Sequence, residues 1–231
     1  MKTFMMREFQ WITVICDRIQ FYHGVNIQVQ EHNVMEDMKY YIQQLLQPFT
    51  NVKEYTMPAV KDYCETESEA KLLDATGKKR FYTIIARLLY LAKCARSADI
   101  LTATSFLCAR VKSPNKRDQL KLLRVIGYLA ATKDYEYTIK PNKSLRVQAY
   151  IDAACAAHVD SKSHSGVTVF IAGVLVYSAS TKQTSVTKSP TKSELVALTD
   201  FMGSVELFDE FFLSWSVRNW EHQLFIKTAS Q

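Results

Sequence analysis

The sequence predicts an α+β protein, a helical first part followed by a sheet-containing second part. Three observations carry this. The 231 residues combine 48% hydrophobic with 23% charged side chains, the balance of a chain able to bury a core. Apolar residues recur at helical spacing between residues 36 and 135, and after Pro141 the period changes from helical to alternating. Only 6 Gly and 5 Pro are present, which excludes collagen-like and linker-rich designs.

Residues 1–34 define the least. Phe9 to Ile27 mixes Trp, Ile, Val and Tyr in a strand-like way. From Glu36 to Phe49, Met38, Tyr41, Ile42, Leu45 and Leu46 recur as on a helix that Pro48 closes. Asn51 to Thr76 is polar and acidic, and reads as a surface loop or connecting arm.

A helix from Lys78 follows, with Phe81, Ile84, Ile85, Leu88, Leu91 and Ala92 on one stripe. A second begins after Ser97 or Asp99, either of which can cap it. Ser113 and Pro114 open a third, whose Leu120, Leu123, Ile126 and Leu129 are expected to face the core. On its outer side Arg117, Lys121, Arg124 and Tyr128 share one face. A solvated basic face is the ordinary reading of that stripe, and contact with a duplex backbone is the sharper one.

Past Pro141, Leu145, Val147, Ala149 and Ile151 alternate with Arg146, Gln148, Tyr150 and Asp152, as in a half-buried strand. Val167–Ile171 and Val174–Tyr177 are two further apolar runs, separated by Ala172 and Gly173, so a tight hairpin is expected. Ser189 and Pro190 open a long helix with Glu194, Leu198, Phe201, Val205, Phe208 and Phe212 on one side. A short strand over Leu224 to Ile226 closes the pattern.

No apolar run approaches the roughly 20 residues of a membrane span, and Met1 to Gln10 lacks a signal-peptide core, so an intracellular protein of the cytoplasm or nucleus is expected. Cys16, Cys64, Cys94, Cys108 and Cys155 are odd in number and contain no C-x-x-C pair, which suggests buried thiols and neither a disulfide framework nor a zinc site. Charge is uneven along the chain. Residues 145–231 hold 7 of the 29 basic and 8 of the 23 acidic side chains, so residues 1–144 carry the whole excess. A polyanionic partner belongs along that first part.

Asp152 ends the polar side of a strand, and Glu194 sits in an otherwise apolar stripe. Each alone reads as a strand-end residue or a helix-dipole partner, and together they suggest a hard-cation site. His158 and His164 flank a serine-rich loop without a third ligand at metal spacing, which favours solvation over coordination. Ser178, Ser180 and Ser185 lack a G-x-S-x-G context, so no serine nucleophile is suggested. Phe208, Phe211, Phe212, Trp215 and Trp220 read as core at helical spacing rather than as a stacking platform.

The stretch YIDAACAAHVDSKSHSGVTVFIAGVLVYSASTKQTSVTKSPTKSELVAL, residues 150–198, closely resembles the ribonuclease H domain of copia-type LTR retrotransposon Pol polyproteins. The family pattern of an Asp, then D-x-x-S-x-S-G, a hydrophobic hairpin ending in S-K-Q and an S-x-x-E-x-E helix start is met by Asp152, Asp160–Gly166, Ser180–Gln183 and Ser189–Glu194. Upstream, MKYYIQQLLQPF (38–49), VKEYTMPA (52–59), RFYTIIARLLYLAKCARSADILTATSFL (80–107) and LLRVIGYLAATKDY (122–135) resemble the thumb and connection of the same polyprotein's reverse transcriptase.

The resemblance implies a poorly defined segment 1–34, a helical thumb/connection-like region 35–144, and a truncated ribonuclease H-like mixed-sheet domain 145–231 whose fourth short strand lies parallel to its first. It implies an ancestral enzyme that cleaves RNA in RNA/DNA hybrids with two Mg²⁺ ions, Asp152 and Glu194 matching the first two catalytic metal ligands. Arg117, Lys121 and Arg124 would then be thumb contacts to the nucleic acid.

Departures from the pattern imply lost activity. The paired aspartates of the polymerase site are absent. Lys227 stands at the third carboxylate position, Lys192 replaces an earlier Glu, and nothing after Lys227 supplies the fourth carboxylate or partner histidine, so weak or absent Mg²⁺ binding is expected. The alternatives are a non-catalytic nucleic-acid-binding or protein-interaction module, or a decayed open reading frame with no selected role.

Overall fold

The computed structural model describes residues 17–61, 63–64, 70–142, 146–215 and 224–228. Among them lie two four-stranded sheets and five helices, a mixed α+β architecture.

The first sheet is antiparallel throughout, in the order β1 (Ile19–Tyr22), β2 (Val25–Val29), β3 (Val34–Asp37) and β4 (Tyr137–Ile139). His23 and Gly24 make the β1–β2 turn with positive φ at both positions. This sheet crosses residue 34, so the N-terminal hairpin and the segment after it form one unit. Of the strand-like stretch Phe9 to Ile27, residues 9–16 lie outside the described residues.

Helix α1 spans Lys39–Leu46 and buries Ile42 and Leu45, while Glu36 and Asp37, expected to be helical, belong to β3. Helix α2 (Ala75–Cys94) begins where the Asp74 carboxylate accepts from Gly77 N–H at 2.9 Å, one turn before the expected Lys78. It buries Phe81, Ile85, Leu88, Leu91 and Ala92. Helix α3 (Leu101–Cys108) has no side-chain cap. Asp99, expected to cap it, instead accepts from Arg96 and from the Tyr128 hydroxyl.

Helix α4 (Lys116–Ala131) is capped by Asn115 rather than Ser113, in a reciprocal capping box with Asp118. Its core face is Leu122, Val125, Ile126 and Leu129. Leu120, expected inside, is 60% exposed, because the buried row runs Asp118, Leu122, Val125, Leu129 and leaves Leu120 on the opposite side. The polar segment before α2 is not only surface. Tyr63 is buried in the helical core and its hydroxyl donates to the Ala103 carbonyl at 3.1 Å, and Val52 and Ala59 pack against the same core. Gly127 explains the fit. A Cβ there would sit 2.1 Å from the Lys53 carbonyl oxygen, so only glycine lets this segment lie against α4.

The second sheet has the order β7-β6-β5-β8, from β5 (Val147–Ala154), β6 (His164–Ile171), β7 (Val174–Lys182) and β8 (Leu224–Thr228). The hairpin expected at Ala172 and Gly173 is present, both residues having positive φ. β8 pairs parallel to β5, as expected, and sets Lys227 opposite Tyr150. Helix α5 (Pro190–Trp215) opens as anticipated, the Ser189 hydroxyl accepting from Lys192 N–H at 3.3 Å. Its Ala197, Phe201 and Val205 pack on Val147, Ala149, Ile151, Val167 and Val169. Of the cysteines, Cys64 is exposed and Cys94, Cys108 and Cys155 are half-buried, all as free thiols.

Candidate functional site

Strand alternation decides which face each candidate residue occupies. The odd-numbered residues of β5 and β6 face α5, so Asp152 lies on the other face with Tyr150, opposite Gly166. There it lines a cleft of about 490 Å³ with Tyr150, Gly166, Thr168, Ser178 and Ser180, walled on the far side by Ser97, Ala98, Leu101 and Thr102 of the helical unit. A contiguous cleft of about 990 Å³ continues along β7 towards Lys93, Cys108 and Lys182.

Glu194 lies at the same end of the sheet but on the α5 side. Its neighbour Ser193 is fully buried, and the Gln183 amide ties the two elements by donating to Ser165 Oγ and to the Ser193 carbonyl, both at 2.8 Å. Asp152 and the first turns of α5, which carry Glu194, thus share one end of the sheet, Asp152 being on the face turned away from the helix. Among the described residues no three His, Cys, Asp or Glu side chains converge as a metal site.

The basic stripe of α4 is largely drawn inward. Arg117 is exposed, but the Arg124 guanidinium lies 4.4 Å from the Tyr55 ring centroid, and Lys121 Nζ lies 5.1 Å from that of Phe106 and 5.6 Å from that of Tyr63. Burial holds the Lys121 ammonium below the ordinary lysine pKa, with Asp118 acting against the shift. Tyr128, the fourth member of the stripe, is buried.

A different basic surface forms where two chain segments meet. Leu73 N–H donates to the Pro114 carbonyl at 2.9 Å and Lys116 N–H to the Lys71 carbonyl at 3.0 Å, which sets the N-termini of α2 and α4 side by side. Lys71, Lys78, Lys79, Arg80, Lys116 and Arg117 are all exposed at this end. Cations at helix N-termini oppose the helix dipole, so an anion placed there relieves both the dipole and their mutual repulsion. The signal was in the sequence: Lys116-Arg117 directly after the Asn115 cap are first-turn cations where acids are usual, and Lys78-Lys79-Arg80 follow one turn after the Asp74 cap.

The two histidines are not solvated. His158 is 6% exposed and stacks on Phe106 of α3, ring centroids 5.3 Å apart at 14°. Its Nε2 lies 3.0 Å from His164 Nδ1, and His164 Nε2 lies 2.7 Å from Ser180 Oγ. Burial pushes His158 below the ordinary histidine pKa, with Lys182 adding to the shift. Burial and the neighbouring His158 push His164 down to about 4. The ring from the distant α3 that buries His158 has no local signature in the sequence.

No family model, curated protein or solved structure matches this chain.

Proposed function

We propose that this chain is a retrotransposon-derived reverse transcriptase/ribonuclease H fragment that grips RNA/DNA hybrid without cutting it. The observation that carries the reading is the topology of the second sheet. Three antiparallel strands, a helix across one face and a fourth strand added parallel to the first carry Asp152 on the first strand and Glu194 in the first turns of the helix. That is the frame implied by the copia-type motif run over residues 150–198. The frame supports a nuclease ancestry, and the site argues against present catalysis.

Cleavage by two metal ions needs carboxylates that hold both ions together, one ion generating hydroxide and the other taking charge from the leaving oxygen. Asp152 lies on the sheet face turned away from α5, the helix that carries Glu194, β8 sets Lys227 in the strand position where the resemblance implies a carboxylate, and helix α3 walls the Asp152 face. Binding rests instead on the exposed end formed by Lys71, Lys78, Lys79, Arg80, Lys116 and Arg117. Phosphate contacts of this kind give affinity without sequence preference and release counterions.

Fluorescence anisotropy with a labelled hybrid tests the reading. Four phosphate contacts give a log–log salt slope of about −3 to −4. Reversal of Lys78, Lys79 and Arg80 to Glu flattens the slope by about one per lost contact and weakens binding equally for unrelated sequences. An unchanged slope in that folded variant would remove the grip from this surface.

A further inference from the structure

We propose that Ser180, His164 and His158 form a nucleophilic relay that takes the acyl group from small esters carrying a cationic substituent. The inference is independent of hybrid binding. It starts from a hydrogen-bonded chain of three side chains that no structural need of the hairpin explains.

For Ser180 Oγ–H to donate to His164 Nε2 at 2.7 Å, His164 must carry its own proton on Nδ1. That proton then points at His158 Nε2, 3.0 Å away, which accepts it. One tautomer assignment thus satisfies every bond in the chain. His158 is held in turn by its stack on Phe106, by its N–H to the Lys162 carbonyl at 3.1 Å, and by its carbonyl accepting from Ser161 N–H at 2.8 Å. This is the arrangement of a nucleophile, a base and a group that orients the base. Both rings are neutral at neutral pH because burial opposes their charge, so His164 is in the form that accepts a proton.

The surroundings fit a substrate. Ser180 is half-buried and lines both clefts. Gly166 lies between Ser180 and Asp152 on one row of the sheet, and a Cβ built there would meet only the Ala179 carbonyl oxygen at 3.9 Å, so the floor is open. Asp152, two strand spacings or about 10 Å across that floor, presents a carboxylate with no ion-pair partner among the described residues. A substrate cation over Asp152 places its ester carbonyl towards Ser180.

In the reaction, Ser180 Oγ attacks the ester carbonyl carbon as its proton passes to His164 Nε2. The carbonyl π electrons move to oxygen and return as the bond to the alcohol breaks, and the departing oxygen takes the proton from His164. Water repeats the sequence on the acyl-serine, releasing the carboxylic acid and restoring Ser180. His164 is a weak base at a pKa of about 4, so esters with good leaving groups are the substrates that react at a measurable rate.

The test is acylation of the full chain by p-nitrophenyl acetate and by the p-nitrophenyl ester of trimethylammonioacetate, read by intact mass and peptide mapping. One acyl group per chain on Ser180 is expected, forming about tenfold faster with the cationic ester, as for one well-placed charge pair. Ser180→Ala loses the adduct, His164→Gln slows it roughly 100-fold, and Asp152→Asn removes the preference between the esters. His158 is a positioning residue. His158→Gln, which still accepts from His164 Nδ1–H, retains acylation that His158→Leu loses. Titration of the unmutated chain with a fluorophosphonate, mapped to Ser180, answers the question even if a variant fails to fold. No adduct in the folded wild-type chain, or an adduct only on lysine or tyrosine, overturns the relay.

Discussion

Acidification should destabilise this protein through His164 well before its carboxylates are exhausted. His164 is half-buried, and its pKa falls from the ordinary 6.5 to about 4 because burial and the adjacent His158 oppose its charge. A histidine with a depressed folded-state pKa stays neutral in the fold while the unfolded chain takes up a proton. Its contribution is therefore complete above pH 6.5 and is lost as pH falls from 6.5 towards 4. The full shift corresponds to about 3 kcal/mol, of which about 2 kcal/mol is lost between pH 7 and pH 5. That is a large part of the 5–15 kcal/mol typical of a domain. The assay is urea unfolding at both pH values for the wild type and for His164→Gln, which occupies the site without titrating. Carboxylates and His158 contribute to both proteins, so the difference between their pH slopes isolates His164. The wild type should lose about 2 kcal/mol more than the variant. Parallel slopes would show that His164 is solvated and that the His158–His164–Ser180 chain does not form.

Further substitutions probe the packing. Gly127→Ala forces a Cβ against the Lys53 carbonyl oxygen and should cost about 1–3 kcal/mol in urea unfolding, whereas Gly203→Ala, with nothing within 4 Å, should be neutral or stabilise by up to about 1 kcal/mol. Arg96 is buried, donates to Asp99 and to the Thr132 carbonyl and hydroxyl, and lies over Tyr128 and Tyr135; Arg96→Leu should cost about 3 kcal/mol, and adding Asp99→Leu should recover part of it. Asn115→Ala removes the cap of α4 at a buried position and should lower stability by about 1–2 kcal/mol, measured by the same unfolding.

Local chemistry was legible in the sequence and distant contacts were not. The Ala172–Gly173 turn, the Ser189–Pro190 helix start and the change of period after Pro141 are written within a few residues, and the structure contains all three. The parallel addition of β8 was legible only through the motif run that precedes it. The first sheet joins Val34 to Ile139, a pairing that no periodicity announces. The α4 stripe shows the same limit. Arg117, Lys121 and Arg124 do share a helical face, but Tyr55, Tyr63 and Phe106 arrive from elsewhere and cover two of the three. Asp152 was correctly read as a polar-face residue of its strand, while its separation from Glu194 depends on which sheet face α5 chose.

The most direct test of the account is incubation of the purified chain with a labelled RNA/DNA hybrid in Mg²⁺ and in Mn²⁺, with anisotropy and gel readouts on the same samples. Salt-sensitive binding with no cleavage above background is the predicted result, because Asp152 lies on the sheet face turned away from the helix that carries Glu194 and Lys227 stands where the proposed ancestry has a carboxylate. Metal-dependent cleavage abolished by both Asp152→Asn and Glu194→Gln would contradict the account, since it would require the two carboxylates to meet at one site.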